Sequence, residues 1–372
     1  MAACPSEDIV YVDTAILAEQ ITSIFTSWGV SKSQIESTVA VMVETDTYGI
    51  DSHGVSMLML YEQMIKSGIL NLDAVPNIVK ESASTALIDG DAGFGHHVAK
   101  MGMSLAINKC KTSGICSISA YNSHHFGAAG YYAKMASDAG LIGLVTSSTR
   151  SVLVTPTFAQ KPVLGTNPIS FAAPAGNGRP FLLDMSTSTV ASNKIKMFNL
   201  NKCDLPEGWV IDNSGTSITD AAMARSLLLG SEKNAGITPL GGTPDLASHK
   251  GYGLAMMVQI LSATLSGGGF SPFQERSPSN SSPDNIGHFF LAIDPSYFRP
   301  DHGFEKDLKQ MVDFLRNTLP INPDQPVLVA GDPEFDRYER RKTEGIPMSQ
   351  ALLQQIRNIA SRAAVPFILV SG

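Results

Sequence analysis

Cysteine is scarce in this chain: four in 372 residues, Cys4, Cys110, Cys116 and Cys203. None belongs to a CxxC pair or a metal spacing, so neither a disulfide framework nor a structural zinc site is expected, and scattered thiols fit a reducing compartment. Long apolar runs are also missing. No stretch approaches roughly 18 uninterrupted apolar residues, which argues against a transmembrane helix. The segment Met1 to Tyr11 carries Glu7 and Asp8 and has no basic start followed by an apolar run, so no signal peptide is expected. Positive charge is in deficit, with 27 Lys and Arg against 34 Asp and Glu and a net charge of −7. A nucleic-acid partner needs clustered cations. The longest basic cluster, Arg337 to Lys342, is interrupted by Tyr338 and Glu339 and reads as a solvated helix face. The expectation is a soluble cytoplasmic protein with neither nucleic acid nor membrane as partner.

Apolar residues make up 43% and charged residues 16%, the balance of a well-buried globular protein. At roughly 100–200 residues per domain, the length suggests two domains. The first 75 residues read as helices. Asp13 is placed to cap a helix with Ile16, Leu17, Ile21, Ile24 and Phe25 at helical spacing, ended by Gly29. Ser33 and Glu36 form a capping-box pattern for a second helix to about Tyr48, and a third covers Val55 to Ser67. Beyond residue 76, strand candidates Thr85–Ile88, Ile115–Ala120, Leu141–Thr146, Ile169–Ala173, Phe181–Leu183 and His288–Ile293 mix with helix candidates Val98–Cys110 and Gly130–Ala139. His249 to Ser266 reads as a long buried helix, and Glu305–Leu319 and Ser349–Ala364 as two more. Ser277 to Asp284 is a Ser/Pro/Asn-rich loop, expected to be mobile. The fold class predicted is α/β (α+β): helices of 1–76 and 303–372 join in one discontinuous domain, and 77–302 is an α/β unit inserted in it.

Gly93-Phe94-Gly95-His96-His97-Val98 sits where a dinucleotide phosphate loop would, after a strand and before a helix. Val98 replaces the third glycine, and no acid ends the next strand, so a tight strand-to-helix turn is the preferred reading. The adjacent histidines His96–His97 and His124–His125 make poor metal chelates because neighbouring residues point apart. No metal is expected. Asp51-Ser52-His53-Gly54 lies between helices, where helix-start N–H groups suit an anion and a histidine suits proton transfer to a carbonyl. Three further clusters are open to two readings each. Asn122 to Gly127 is an active-site loop or a cap turn; Asp184 to Ser188 is a polar site or a capping turn. His249 to Gly253 is an anion-binding helix start, with Lys250, or a close helix contact.

These stretches, with Gly165-Thr166-Asn167-Pro168-Ile169-Ser170-Phe171-Ala172-Ala173-Pro174, resemble the type-2 malate/L-lactate dehydrogenases. The likeness runs from about Ile24 to Pro347 and includes Asn193-Lys194-Ile195, Leu205-Pro206-Glu207-Gly208-Trp209 and Pro239-Leu240-Gly241-Gly242. It implies a non-Rossmann nicotinamide-binding domain, NADPH or NADH as cofactor, a small-molecule substrate and a homodimer. By the same resemblance, Ser52 and His53 stand at the reaction centre with His53 as proton donor or acceptor, and Asp184 and His125 take catalytic parts. The cofactor would be bound by His125, Thr149, Thr166, Asn167, Asp184, Met185, Ser186, Lys250 and Gly251.

Three departures bear on the substrate. The family places an arginine four residues after the Ser-His histidine to hold a carboxylate, and here that residue is Met57. A thioether cannot replace a bidentate charge-assisted contact. Met59 and Leu60 stand where a proline and a basic residue are usual, and Phe158 and Ala159 replace a glycine pair. Arg150, after the Leu144–Thr149 run, is the candidate replacement cation. The sequence thus predicts a reductase of a small C=O or C=N substrate, of the 2-oxo acid type or bulkier. Two rival expectations are a cyclic imine reductase and a catalytically silent paralogue.

Overall fold

The computed structural model describes residues 9–370 except 177–178, 201, 231, 274–281, 300 and 302. Most of the Ser277–Asp284 loop therefore lies outside the described residues. The chain opens with β1 (Ile9–Val12) and helices α1 (Thr14–Ser27), α2 (Lys32–Thr47) and α3 (Leu58–Lys66). Asp13 caps α1 by accepting from Ala15 N at 2.8 Å. The Ser33–Glu36 capping box does not form. Ser31 N is tied to Leu72 O at 2.9 Å, and this starts α2 two residues early, so Ser33 falls inside the helix.

The middle of the chain supplies β2 (Asn77–Glu81), β3 (Thr85–Asp89), α4 (Gly95–Ser113), β4 (Ile115–Ser123), α5 (Ala129–Asp138) and β5 (Ile142–Ser147). Then come β6 (Ile169–Ala173), β7 (Phe181–Met185), α6 (Ser192–Leu200), β8 (Val210–Asp212), α7 (Ala221–Leu229), β9 (Ala235–Ile237), α8 (His249–Gln259) and β10 (Ile286–Ile293). Seven strands form one sheet in the order β2-β3-β4-β10-β5-β6-β7, in which β3 and β4 are parallel and the other pairs antiparallel. β10 is central and nearly all buried, as its apolar run Ile286 to Ile293 requires. Val98 and Met103 of α4, Tyr132 of α5 and Phe290 of β10 share the core on one face.

The long helix expected from His249 runs on to Thr264 but is less buried than expected. α8 ends at Gln259 and passes into a π-turn over Ile260–Thr264. The buried side of that turn is polar: Ser262 meets Thr146 Oγ1 at 2.7 Å, and Ser266 Oγ donates to Ser262 O at 2.6 Å. Met256, Met257, Ile260 and Leu265 face outward instead. No described helix is long and apolar enough to cross a membrane.

The C-terminal segment holds α9 (Gly303–Arg316), α10 (Asp332–Glu344), β11 (Ile346–Ser349) and α11 (Gln350–Arg362). β11 pairs antiparallel with β1, and Leu353, Ile356 and Ile359 of α11 share a core with Leu17, Ile21, Leu58 and Tyr61. Two arginines complete the join. Arg362 makes a two-point contact with Glu62 of α3, at 2.7 and 2.6 Å. Arg341 of α10 donates to Asp46 O at 2.5 Å and to both carboxylate oxygens of Asp51. The solvated face expected for Arg337–Lys342 holds at Glu339, Arg340 and Lys342 and fails at Arg341, which is only 7% exposed because the α2–α3 turn offers it a carboxylate and a carbonyl. Beneath that turn the buried Asp46 carboxylate accepts from Val55 N at 2.7 Å. Gly54 has no side chain there, since a Cβ would fall 1.9 Å from Asp46 Oδ1.

Glu62 is held down from 4.5 to about 2 by its hydrogen bond to Arg362. A lowered carboxylate pKa stabilises fully above the unfolded value and ceases to do so as pH falls through the folded one. Glu62→Gln is therefore expected to lower stability at pH 7 by about 1–3 kcal/mol. Denaturation midpoints should show the gap to wild type closing between pH 4.5 and about 2. Arg341→Met leaves Asp51 without its cation and should cost about 1–3 kcal/mol. Hydrogen exchange should accelerate at His53 N and Val55 N, which close this turn onto Ile50 O and Asp46.

Candidate active site

The turn fixed by Arg341 and Asp46 presents Ser52 and His53 side by side. Ser52 Oγ lies 2.7 Å from His53 Nδ1, which leaves Nε2 as the nitrogen for a substrate. Asn193 of α6 donates to Ser52 O at 3.0 Å and ties the turn to that helix. The His53 ring stacks on His125 with centroids 5.6 Å apart and planes 25° apart. Burial depresses His53 to about 4, so the imidazole is neutral at pH 7. Burial also holds His125 well below its usual range, with His53 nearby adding to the effect.

His125 reaches this place because β4 ends at Ser123 and α5 begins at Ala129. The two histidine pairs point apart as expected. His124 Nδ1 faces Asp284 at 3.2 Å and His97 Nδ1 faces Ser37 at 3.0 Å, whereas His125 and His96 both turn to Tyr61. Asp184, at the end of β7, accepts from Gly130 N at 2.7 Å in the first turn of α5. Burial raises Asp184 to about 6 despite that hydrogen bond, so its proton is exchangeable near neutrality. Ser52, His53, His125 and Asp184 thus gather around the turn between β4 and α5.

The other expected residues form a second group. Thr187, just past Met185 and Ser186, binds the backbone of Thr166 and Asn167, its Oγ1 donating to Asn167 O at 3.0 Å. Asn167 is buried and its amide is committed to Ala255 O at 3.0 Å and Gln259 at 3.3 Å, which holds α8 in place. Thr149 Oγ1 lies 3.4 Å from Asn167 Oδ1. Lys250 is exposed in the first turn of α8. Gly251 packs flat on Leu240, where a Cβ would come within 2.3 Å of Leu240 N, and Leu240 N donates to Thr187 O.

A nicotinamide dinucleotide needs backbone N–H groups and a cation for its phosphates and small polar groups around its sugars. Lys250, exposed at the start of α8, and the hydroxyls of Thr149, Thr166 and Ser186 fit those needs, whereas Gly251 is buried against Leu240 and seats the start of the helix. Three residues noted for the substrate are not gathered. Met57 and Met59 pack against the N-terminal core, whereas Phe158 is 88% exposed. Arg150 Nε lies 3.3 Å from Asp284 Oδ1, so its charge already has a buried partner. Sequence reasoning missed Tyr61, Asn193 and Arg341 as parts of the site. A lone tyrosine among the apolar positions of α3 gave no signal, and Arg341 was hidden in a run of charge.

The family model described as malate/L-lactate dehydrogenase matches residues 12–357. Malate dehydrogenase of Pyrococcus horikoshii is 37% identical over 360 residues, covering 96% of this chain and 97% of that protein. The crystal structure of malate dehydrogenase from Entamoeba histolytica superposes with a TM-score of 0.91 at 29% identity, covering 96% of this chain and 99% of that one. That of Δ1-piperideine-2-carboxylate reductase from Pseudomonas syringae gives 0.82 at 26% identity, covering 94% and 100%. With a histidine–serine pair on a clamped turn, a surface suited to a nicotinamide cofactor, and a family match over nearly its whole length, the chain belongs to the malate/L-lactate dehydrogenase family of oxidoreductases.

Proposed function

We propose that this chain is an NAD(P)H-dependent reductase of a small oxo or imino substrate, with His53 exchanging the proton at the reacting oxygen or nitrogen. The observation that carries this reading is the Ser52–His53 pair, with Nδ1 engaged at 2.7 Å and the ring stacked on His125. The cofactor supplies the hydride when bound; the protein orients the partners and manages the proton. Lys250, Gly251, Thr149, Thr166, Asn167, Met185 and Ser186 form the cofactor side in this reading, and Asp184 and His125 border the reacting centre. The mostly antiparallel sheet supports a non-Rossmann nicotinamide-binding domain of 77–302. The shared packing of α1 and α11 supports a helical domain of 1–76 and 303–372 around it, although Phe335 of α10 packs in the sheet core. Outward-facing Met256, Met257, Ile260 and Leu265 support a homodimer that covers them.

A neutral His53 is the base form, suited to taking the proton of a hydroxyl in the oxidative direction. In reduction it must first be charged, which burial makes costly. Apart from any step near pH 6 from Asp184, the second-order rate constant for oxidation should therefore fall as pH drops through about 4, where His53 protonates. For reduction the same constant should rise over that interval. His53→Ala should cut turnover by about 10²–10⁴-fold, while nicotinamide fluorescence titration returns wild-type cofactor affinity. A mutant rate within a few-fold of wild type would overturn the role.

Met57 and Met59 pack against the N-terminal core and Arg150 is already paired with Asp284, so neither the Met57 position nor Arg150 offers an unpaired cation to a carboxylate. An unpaired carboxylate leaving water there would be costly. Pyruvate and oxaloacetate are expected to turn over poorly, and bulkier oxo compounds or cyclic imines better, in a steady-state panel. Efficient reduction of pyruvate or oxaloacetate, undiminished in Arg150→Ala, would sink this assignment.

A further inference from the structure

The hydroxyl of Tyr61 is fully buried between two imidazoles, 2.9 Å from His125 Nδ1 and 3.2 Å from His96 Nε2. It has one proton for two nitrogens, so the direction of each bond is decided by what else the rings touch. Gly127 N lies 3.4 Å from His125 Nδ1, a contact too long to fix the ring by itself but one that disfavours a hydrogen on that nitrogen. The Nδ1 lone pair is then taken by the Tyr61 proton. The tyrosine oxygen is left to accept, so His96 Nε2 carries a hydrogen. His96 Nδ1 is consequently a bare lone pair, and it is buried with no partner. The opposite assignment would bury an N–H donor at His96 Nδ1 with nothing to receive it, and set two N–H groups against each other at His125 Nδ1. Leaving a buried donor unmade costs more than leaving one lone pair idle.

We infer that Tyr61 and His96 lock His125 in its Nε2–H tautomer, so that His125 serves the site as a fixed hydrogen-bond donor and not as an acid or a base. The inference rests on the reading of the site proposed above and divides labour within it. His53 exchanges the proton. His125, stacked on it at 5.6 Å, presents an N–H to the same reacting oxygen or nitrogen and steadies the charge that develops there. A neutral imidazole does this without giving up its proton, and burial keeps both His125 and His96 neutral at pH 7. Tyr61 and His96 do not touch substrate in this scheme; they are positioning residues. His96 owes its place to the start of α4, directly after the strand-to-helix turn that resembles a failed phosphate loop.

The test is made on the full chain labelled with nitrogen-15 at histidine, without substrate or cofactor. Two-bond proton–nitrogen correlation spectra report which ring nitrogen carries hydrogen, and His125→Gln identifies the His125 signals. Wild type should show His125 neutral and protonated at Nε2. Tyr61→Phe removes the hydroxyl and keeps the ring packing, so His125 should become a mixture of tautomers. Turnover should then fall by about 3–10-fold, in proportion to the competent fraction, with KM and the His53 pH profile unchanged. His96→Gln retains an amide donor for Tyr61 and should keep the wild-type tautomer. His125 protonated at Nδ1 in wild type, or a tautomer unmoved in Tyr61→Phe, would overturn the inference. Because the spectra need no turnover, an inactive wild type would count against the proposed function and leave the tautomer result standing.

Discussion

A guanidinium from the last third of the chain closes the turn that carries Ser52 and His53. Arg341 joins the carbonyl of Asp46 to the carboxylate of Asp51, and Asp46 in turn binds Val55 N across a gap that only Gly54 fits. The turn is short and lies between two helices, so it has no ladder of its own to hold it. Its geometry is set from outside, by a charge that is itself buried and worth retaining only while both acceptors are present. The placing of His53, its contact with Ser52 and its stacking on His125 all follow from that closure.

The second constraint is burial. Apolar packing around Tyr61, Phe94 and Phe126 favours the uncharged forms of His53, His96 and His125. His53 is lowered to about 4, His96 to about 3, and Asp184 is raised to about 6. Neutral rings have tautomers, and tautomers are chosen by neighbours. The same burial that removes charge therefore gives the second layer of residues its influence on the first.

Local chemistry made much of this legible in advance. β6 spans the expected Ile169–Ala173, and Asp13 caps α1 as its spacing implied, because side-chain alternation and capping are short-range effects. Ser52, His53 and His125 are legible as candidates for a site, and the structure stacks the two imidazoles and sets the Ser52 hydroxyl against His53. What escaped was long-range. Arg341 looked like surface charge because nothing near it in sequence reveals that Asp46 and Asp51 await it. Met257 and Leu265 read as core because apolar spacing does not say which face Ser262 and Ser266 will bury. The Ser33–Glu36 capping box failed to a backbone bond from residue 31 to residue 72, a pairing no local pattern encodes.

The place of β10 sets an order of events in time. β4 and β5 are close in sequence, yet the strand between them spans Ile286–Ile293. During synthesis the centre of the sheet stays open until well over half the chain has been made, and β1 waits longer still for β11. The two strands flanking the gap must avoid each other in the meantime, since direct pairing would exclude the later arrival. Contacts of such long range make for slow folding and a long exposure of apolar strand edges. The nascent chain is thus most vulnerable in the interval before residue 293 emerges, and a chaperone acting on it would be needed there and not at the start.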